Sequence, residues 1–525
     1  MLRYWQNVVK SKFFWAVVFC LAAVLIYLPA ARGGFIWDDE SQILNNSAVH
    51  SVSRIPSLFT QSTFFAGEGA RLEGIFYRPL MMTAFALIYA VIGPHAWLFH
   101  LSQILLHGIN AFLVFLIFTA LFKRRSLAAV LALVFLVHPI QAEAVAYIAD
   151  FQDVLFVMFG LLGLLGLIRL KSDWQACTAA CAGALCASVS KETGLLFLPL
   201  MLLYTVLLRR RTAVLLVSGL ASIATVYVSL RCFTAHLCYG VHGVSPIMQL
   251  PFPIRLLHIP RILETYLVTF LFPARLTVAQ HWVIHRAGAA EFYLPAVVSF
   301  LGFSVLLSLV LTAPRGTKPA AWFFFLWIGA GVGMHLHFIP LDFTAADRWM
   351  YLPTIGILGL LATHLTRLRF TPTVNALILV LILVLSGRTA LRAYQWSRPL
   401  WLFSSDGQYS TNAFDLETNW GVELFRSGNE DESLRHFARA AALAPRSAIA
   451  SLNLGIMYER RGDYRLAKAC YERAAANGPY YLAYHNYAHL LVQMGETDTA
   501  RRFLKEAIKH YPQDAELLQY YKQVQ

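Results

Sequence analysis

Eleven stretches of 15 to 25 mainly apolar residues constrain the fold of this chain more than any other feature. A helix of about 20 apolar residues crosses a bilayer, and somewhat fewer suffice where flanking groups reach the interface. Charged residues make up only 14% of the chain, against about 25% in a typical soluble domain. The pattern predicts an all-α, polytopic membrane protein with about 11 transmembrane helices. The predicted spans are 13–31, 97–121, 126–140, 153–170, 175–190, 193–208, 212–230, 293–313, 320–339, 350–366 and 373–390.

Basic residues cluster in short turns between these spans, and such clusters mark the cytoplasmic side of a membrane protein. The net charge of +14 is therefore assigned to topology, and we expect no nucleic-acid partner. We interpret residues 1–30 as an uncleaved first span. With all basic turns in the cytoplasm, an odd number of spans puts the C-terminal domain outside. The clusters are Arg3 with Lys10 and Lys12, Lys123–Arg125, Arg169 with Lys171, Arg209–Arg211, Arg315 with Lys318, and Arg367 with Arg369.

Two long segments fall on the outer side in this arrangement, residues 32–96 and 231–292. In the first, Pro79–Ile92 is helix-like, and we expect it to lie along the membrane surface. In the second, residues 256–272 are apolar but interrupted by charged residues and a proline, which favours an interfacial or re-entrant pair. A full crossing there would instead move the C-terminal domain to the cytoplasm.

The C-terminal part contains a repeat with a period of 33 to 34 residues, marked by glycine, small-residue, aromatic and proline positions. This order is the tetratricopeptide signature, and it predicts stacked helix pairs with a concave surface for peptides. The predicted domains are a transmembrane domain over 1–392, a connector over 393–412 and a repeat domain over 413–525. The repeat domain comprises three repeats, at about 413–446, 447–480 and 481–514, and a closing helix. The marker positions are Gly428, Gly462 and Gly495; Ser433, Ala467 and Ala500; Phe437, Tyr471 and Leu504; and Pro445, Pro479 and Pro512.

Three adjacent carboxylates, Asp38, Asp39 and Glu40, follow the first apolar stretch and predict a site at the lipid–water boundary. Such carboxylates can take a proton from a hydroxyl nucleophile or hold a divalent metal, and they can also act only as a helix cap. Further acidic or titratable candidates on the same side would support either role. They are His138, Glu143, Asp150 and Asp153.

Three cations are predicted around the same outer rim: Arg78, Lys191 (followed by Glu192) and Arg348. Binding of a lipid phosphate needs this arrangement, because an Arg side chain can donate hydrogen bonds to two phosphate oxygens at once and Lys adds a point charge. Singly, each could equally anchor a helix at the interface. The sequence has no Walker loop, dinucleotide fingerprint or HExxH motif, so a glycosyl donor would be lipid-borne rather than a nucleotide sugar.

These motifs together resemble the TMTC family, the transmembrane and tetratricopeptide-repeat O-mannosyltransferases, and their bacterial relatives in the GT-C superfamily. The resemblance implies a GT-C-like fold, a sugar carried on polyprenyl or dolichyl phosphate, and an acceptor Ser or Thr hydroxyl outside the cytoplasm. It also implies that Asp38 and Asp39 are the catalytic pair, with Glu40 as an alternative register. The segments that carry it are Phe35–Asn46, Tyr77–Tyr89, His138–Leu155, Ser190–Gly194, Asp347–Pro353 and Ala393–Leu402.

The chain departs from the family pattern at two places. Asp153 matches an Arg-Ala-Asp motif, but the chain reads Asp150-Phe151-Gln152-Asp153 there, so the basic residue that precedes the aspartate in that motif is missing. Trp349 and Met350 follow Asp347-Arg348 where the family often has Glu-Arg directly before Tyr-Leu-Pro. These departures bear on the identity of the sugar and the acceptor rather than on the fold.

The sequence thus predicts an inverting glycosyltransferase that moves a mannose-like hexose from a polyprenyl-phosphate donor to an extracytoplasmic protein held by the repeats. Arg78, Lys191 and Arg348 would bind the donor phosphate. A divalent metal is possible but not required. The high share of Arg over Lys in the repeats favours a bacterial inner membrane with the repeats in the periplasm; in a eukaryote they would face the ER lumen. Two alternatives remain: a non-catalytic scaffold that assembles envelope proteins, and a transporter of a lipid-linked sugar.

Overall fold

The computed structural model describes residues 11–64, 76–209, 213–235, 237, 243–410, 412–478 and 480–525. Among these residues all regular secondary structure is helical, apart from one isolated bridge between Gln280 and Ala345. Several residues used in the sequence analysis lie outside the described residues: Arg3, Lys10, Arg210, Arg211 and Pro479. The all-α fold class predicted from the sequence is confirmed.

Helices of nine or more residues are numbered here in chain order. Every predicted span coincides with one of the first thirteen helices, and the predicted surface helix is α2. The ranges are α1 Lys12–Tyr27, α2 Pro79–Ile92, α3 Ala96–Phe122, α4 Arg125–Val137, α5 Phe151–Arg169, α6 Asp173–Ser190, α7 Phe197–Leu208, α8 Ala213–Ser229, α9 Ile259–Leu271, α10 Leu294–Leu311, α11 Lys318–Gly333, α12 Tyr351–Leu365 and α13 Pro372–Trp396.

Five helical stretches of the described chain are long and apolar enough to cross a membrane, and a bent pair makes a sixth. Two of them, at α3 and α5, are central, with 61% and 67% of their apolar windows buried. The windows at α10 and α13 are only 11% buried, so these helices present apolar surface outward, as lipid-facing helices do. α9 has 13 residues and at about 1.5 Å per residue is too short to cross a core of about 30 Å.

The bent pair departs from the prediction of one span over 126–140. α4 ends at Val137, and the chain continues at an angle of 52° into Pro139–Ala146. Proline lacks a backbone N–H and disfavours helical geometry in the residue before it, so the helix ends ahead of Pro139. The bend leads the chain through Glu143 and Tyr147 to Asp150 at the start of α5, and the side chains of these three residues line one cavity.

The predicted connector over 393–412 is largely helical. α13 continues to Trp396, and α14 (Pro399–Gly407) folds back beside it. Arg392 on α13 donates two hydrogen bonds of 2.7 Å to the Asp406 carboxylate on α14, and both side chains are buried. The same carboxylate accepts the Val278 N–H at 2.8 Å. A buried bidentate pair of this kind ties the end of the transmembrane domain to the second outer segment.

Three helix pairs and a closing helix follow. Each pair is joined by a tight turn in which a glycine adopts a left-handed backbone conformation, with φ of 84° at Gly428, 78° at Gly462 and 71° at Gly495. Glycine has no Cβ and adopts this conformation without strain, which ends the first helix of each pair. The ranges are α15 Phe414–Arg426, α16 Glu430–Leu443, α17 Ala448–Arg460, α18 Tyr464–Ala476, α19 Tyr481–Gln493, α20 Thr497–His510 and α21 Ala515–Gln523.

Candidate functional site

A cavity of about 360 Å³ lies where the first outer segment, the bend before α5, the turn between α6 and α7 and the turn before α12 meet. These are the places at which the sequence analysis located its polar clusters. The side chains of interest here that line it are Trp37, Asp38, Gln42, Arg78, Glu143, Tyr147, Asp150, Gln152, Lys191, Glu192, Arg231, Asp342, Phe343, Arg348 and Trp396.

The structure separates the two aspartates that the sequence treats as a pair. Asp39 is fully buried, and its two carboxylate oxygens accept backbone N–H groups, one from Ala149 at 2.7 Å and one from Ile36 at 3.1 Å. Asp38 is half-buried and lines the cavity. Asp39 therefore holds the first outer segment against the bend, while the Asp38 carboxylate faces the space in which a ligand would lie.

A strained turn presents Asp38 to the cavity. Trp37 has a φ of 55°, which is uncommon for a residue with a Cβ and costs roughly 1–3 kcal/mol. The backbone N–H of Asp38 donates to the Tyr147 hydroxyl at 3.0 Å, and this bond stabilises the turn from the opposite wall. Strain that the surrounding structure maintains is found preferentially at ligand and active sites.

Burial raises the pKa of Asp38 to about 6, against the opposing effect of the Arg348 guanidinium. Nearby carboxylates, Asp342 and Asp415, raise it further. A carboxylate with a pKa close to neutral pH is deprotonated there and still a usable base, which is the compromise that general base catalysis requires.

Arg78 lies at one side of the cavity, at the N-terminal end of α2. Its Nε donates to Glu192 at 3.2 Å, and its guanidinium stacks on the Phe76 ring, 4.2 Å from the centroid. Glu192 also accepts the Tyr77 N–H at 2.8 Å and pairs with Arg231 at 3.4 Å. One carboxylate thus positions two guanidinium groups at the same wall, and among the described residues no hydrogen bond occupies the terminal nitrogens of Arg78.

Lys191 lies on the adjacent wall, at the C-terminal end of α6. Its ammonium group donates to both oxygens of Asp153, each at 2.7 Å, and both side chains are buried. A buried ammonium needs such a partner, because an isolated charge away from water is very costly. Asp153 is therefore the counterion of Lys191, although Asp153 itself does not line the cavity.

Arg348 lies in the turn that precedes α12. It bonds to the Glu143 carboxylate through both its backbone N–H, at 2.8 Å, and its side chain, and it pairs with Asp150 at 3.4 Å. Its guanidinium also stacks on Phe343 at 4.7 Å. Two carboxylates from the bend and the start of α5 hold this cation in one orientation, which bidentate recognition of an anion requires.

Among the described residues, four cations and five carboxylates line the cavity. The site is therefore nearly balanced in charge before a ligand enters. Within the part of the chain that the structure describes, no group of three or more His, Cys, Asp or Glu side chains has an arrangement that could hold a metal ion.

Besides Asp39 and Asp153, two more predicted site residues do not line the cavity, His138 and Glu40. The His138 Nδ1 accepts the Ile140 N–H at 3.2 Å, so its Nε2 is the atom that donates to the Phe270 carbonyl at 2.9 Å, and the ring stacks on Phe270. This histidine caps the bend and packs against α9. Glu40 pairs with Arg426 at the end of α15, at 2.6 Å, and so joins the first outer segment to the repeat domain.

Sequence reasoning missed several lining residues. Arg231 directly follows the predicted span 212–230, so a search for cations at the outer ends of spans would have found it. Tyr147, Gln42 and Trp396 carry no such signal, because an aromatic or amide residue near a span is ordinary. Their presence at the cavity depends on which walls the fold brings together.

Comparison with known proteins supports the repeat assignment. Two family models described as "Tetratricopeptide repeat" match this chain, one over residues 448–476 and one over 481–524. These ranges cover α17 with α18, and α19 through α21.

The chain is also similar to curated proteins, along most of its length in the case of TMTC3 and over about a quarter of it in the case of TMTC1. Protein O-mannosyl-transferase TMTC3 of Mus musculus is 23% identical over 497 residues, which cover 87% of this chain and 54% of that protein. Protein O-mannosyl-transferase TMTC1 of Homo sapiens is 35% identical over 127 residues, which cover 24% of this chain and 14% of that protein. The chain thus spans about half the length of TMTC3. The resemblance inferred from the motifs is confirmed.

Among solved structures, ArnT from Cupriavidus metallidurans bound to undecaprenyl phosphate matches with a TM-score of 0.43 and 16% sequence identity. The match covers 88% of this chain and 80% of ArnT.

Proposed function

We propose that this chain is a membrane glycosyltransferase of the GT-C type. It moves a mannose-like hexose from a polyprenyl- or dolichyl-phosphate donor to a Ser or Thr hydroxyl of an extracytoplasmic protein, with inversion. The observation that carries the proposal is the cavity in which Asp38, with its raised pKa, lies together with four cations. Similarity to the O-mannosyl-transferase TMTC3 over 87% of the chain supports the reaction class.

In the proposed reaction the acceptor oxygen attacks C1 of the sugar from the face opposite the phosphate. The C1–O bond to the phosphate breaks, and its electron pair goes to the phosphate oxygen. Asp38 takes the proton of the acceptor hydroxyl as the new C–O bond forms. Asp39 is a positioning residue, since its two backbone contacts keep the strained turn in place.

The leaving phosphate gains negative charge as the bond breaks, and fixed cations stabilise such charge without reorganising. Arg78, Lys191, Arg231 and Arg348 are the cations of the cavity. Each of these cations is held in a fixed orientation by a carboxylate. The same carboxylates reduce the positive electrostatic potential of the cavity. Arg78 is the first candidate for a direct phosphate contact, because no hydrogen bond among the described residues occupies its terminal nitrogens.

The repeat domain is proposed to hold the acceptor polypeptide next to the cavity, which raises its local concentration. The Glu40–Arg426 pair links the end of α15 to the segment that carries Asp38. The repeats and the first outer segment therefore share one side of the membrane. We assign that side to the periplasm of a bacterial inner membrane.

The assignment of sides can be tested with an impermeant maleimide on intact spheroplasts. Arg435→Cys would place a thiol on the repeat domain, where the native side chain is 73% exposed, and Lys171→Cys would place one in an exposed basic turn. We expect labelling of the first and not of the second until the membrane is opened. The reverse pattern would reject the proposed orientation.

The base can be tested by Asp38→Asn, with transfer from a polyprenyl-phosphate hexose to an acceptor protein followed by intact-mass spectrometry. Loss of a general base lowers the rate by about 10²- to 10⁴-fold. The matched control is Asp342→Asn, which neutralises an exposed carboxylate of the same cavity and should keep most of the activity. Full activity of Asp38→Asn would refute the assignment of the base.

A further inference from the structure

Four polar side chains of the cavity each keep one buried polar atom without a hydrogen-bond partner among the described residues. They are Gln42 (Oε1), Asp150 (Oδ2), Gln152 (Oε1) and Trp396 (Nε1). All four residues are at most 3% exposed. A buried polar group without a partner costs roughly 1–3 kcal/mol, so four at one cavity call for an explanation.

The residues that carry these atoms line the same cavity as the proposed base. Gln42 lies in the helical turn that follows Asp38, and Asp150 follows Ala149, whose N–H binds Asp39. The Gln152 Nε2 donates to Asp150 at 3.3 Å, which identifies the remaining amide atom of Gln152 as the oxygen. Three acceptor oxygens and one N–H donor are therefore left for a ligand.

An aromatic wall completes the arrangement. The rings of Tyr147 and Trp396 stack with centroids 5.1 Å apart, and the Trp37 ring lies 6.2 Å from Tyr147. Flat apolar faces beside a few directed polar groups are the usual composition of a small-molecule site. A ligand that fits both features has an apolar C–H face and several hydroxyl groups on its edge.

We propose that Gln42, Asp150, Gln152 and Trp396 form the subsite for the sugar of the donor. This inference rests on the proposed function and adds the residues that recognise the sugar. Three orphan acceptors against one donor select a ring rich in hydroxyl donors. Arg348 pairs with Glu143 and Asp150, whereas the Asp38 carboxylate lines the same space without an ion pair among the described residues. Asp38 therefore repels a sugar acid, so the subsite takes a neutral hexose and rejects a hexuronic acid.

The test uses Gln42→Leu and Gln152→Leu, which replace an amide by an apolar group of similar size. Gln141→Leu is the matched control, because Gln141 is fully buried with both amide atoms lacking partners in the described chain and does not line the cavity. Removing the Gln141 amide, which has no partner at either atom, should leave the melting temperature unchanged or raise it. Gln152→Leu also loses the 3.3 Å bond to Asp150, so its melting temperature should fall only slightly.

Binding is then measured by titrating three probes into the protein in nanodiscs: polyprenyl phosphate, polyprenyl-phosphate mannose and polyprenyl-phosphate glucuronate. We expect the wild type to bind polyprenyl-phosphate mannose more tightly than bare polyprenyl phosphate. Each cavity variant should lower the affinity for polyprenyl-phosphate mannose about three- to tenfold, which is the contribution of one neutral hydrogen bond. Affinity for bare polyprenyl phosphate should not change in any variant, and Gln141→Leu should behave as wild type.

The outcomes separate the two proposals. If the wild type binds no probe, the proposed function fails, and the subsite fails with it. If bare phosphate and mannose probes bind equally, or if the cavity variants keep the full gain from the sugar, the subsite assignment is refuted while the phosphate site stands. Preference for glucuronate over mannose would refute the selectivity.

Discussion

Asp38 and Asp39 are neighbours in the chain, yet their replacement should have opposite effects on stability. Asp39→Ala removes the carboxylate oxygens that accept two buried backbone N–H groups, those of Ile36 and Ala149. Each buried donor left without a partner costs roughly 1–3 kcal/mol, so the loss is about 2–6 kcal/mol. Asp39→Asn keeps one oxygen that can accept one of the two N–H groups, so its loss of stability should be about half that of Asp39→Ala.

Asp38→Asn should leave the protein at least as stable as wild type. The pKa of Asp38 is raised to about 6 in the fold, so its charged form is disfavoured there relative to the unfolded chain. This penalty is complete above about pH 6, declines as the pH falls below that value, and is gone below the ordinary aspartate pKa of about 4. A neutral amide removes it at pH 7 to 8.

Unfolding in mixed detergent micelles, followed by tryptophan fluorescence, measures both effects on the full chain. The transfer assay is run on the same samples. Equal stability of Asp39→Ala and wild type would refute the structural role of Asp39. A stable Asp39→Asn with no activity, beside an active Asp38→Asn, would instead make Asp39 the base.

Two further predictions concern pH and the helical connector. Because Asp38 must be deprotonated to act as a base, kcat/KM should be level at neutral pH and fall up to tenfold per unit below about pH 6; a flat profile to pH 5 would contradict this. Asp406→Ala should leave the buried Arg392 guanidinium unpaired and cost about 3–5 kcal/mol in the same unfolding assay. The conservative Asp406→Asn should cost less, and no effect of either change would show that the pair is not required.

The positions of the helices could be predicted because they follow from local pattern. Apolar runs predict the spans, and the glycines at 428, 462 and 495 predict the repeat turns, since each signal depends on residues close in the chain. The bend at Pro139 was foreseeable from the proline itself. The helical connector was not, because its helix depends on Arg392 meeting Asp406 in a buried contact.

The candidate site could be predicted in part. Arg78, Lys191 and Arg348 are charged residues at the ends of apolar segments. Charged residues near a bilayer are costly, so their positions in the sequence already mark them as candidate functional residues. The division of roles between Asp38 and Asp39 could not be read in the same way. Adjacent carboxylates look alike in a sequence, and only the contact with Ala149 distinguishes them.

The sequence alone therefore determined that this chain is an all-α membrane protein with a repeat domain, and which charged groups are available at one side. The tertiary structure decided which of them meet. Arg348 and Glu143 are 205 residues apart, and Asp39 and Ala149 are 110 apart. Contacts over such separations depend on how helices pack and where the chain bends. The sequence around an apolar residue does not show which distant residue that side chain will contact. The cavity and its unpaired polar atoms are consequences of that packing.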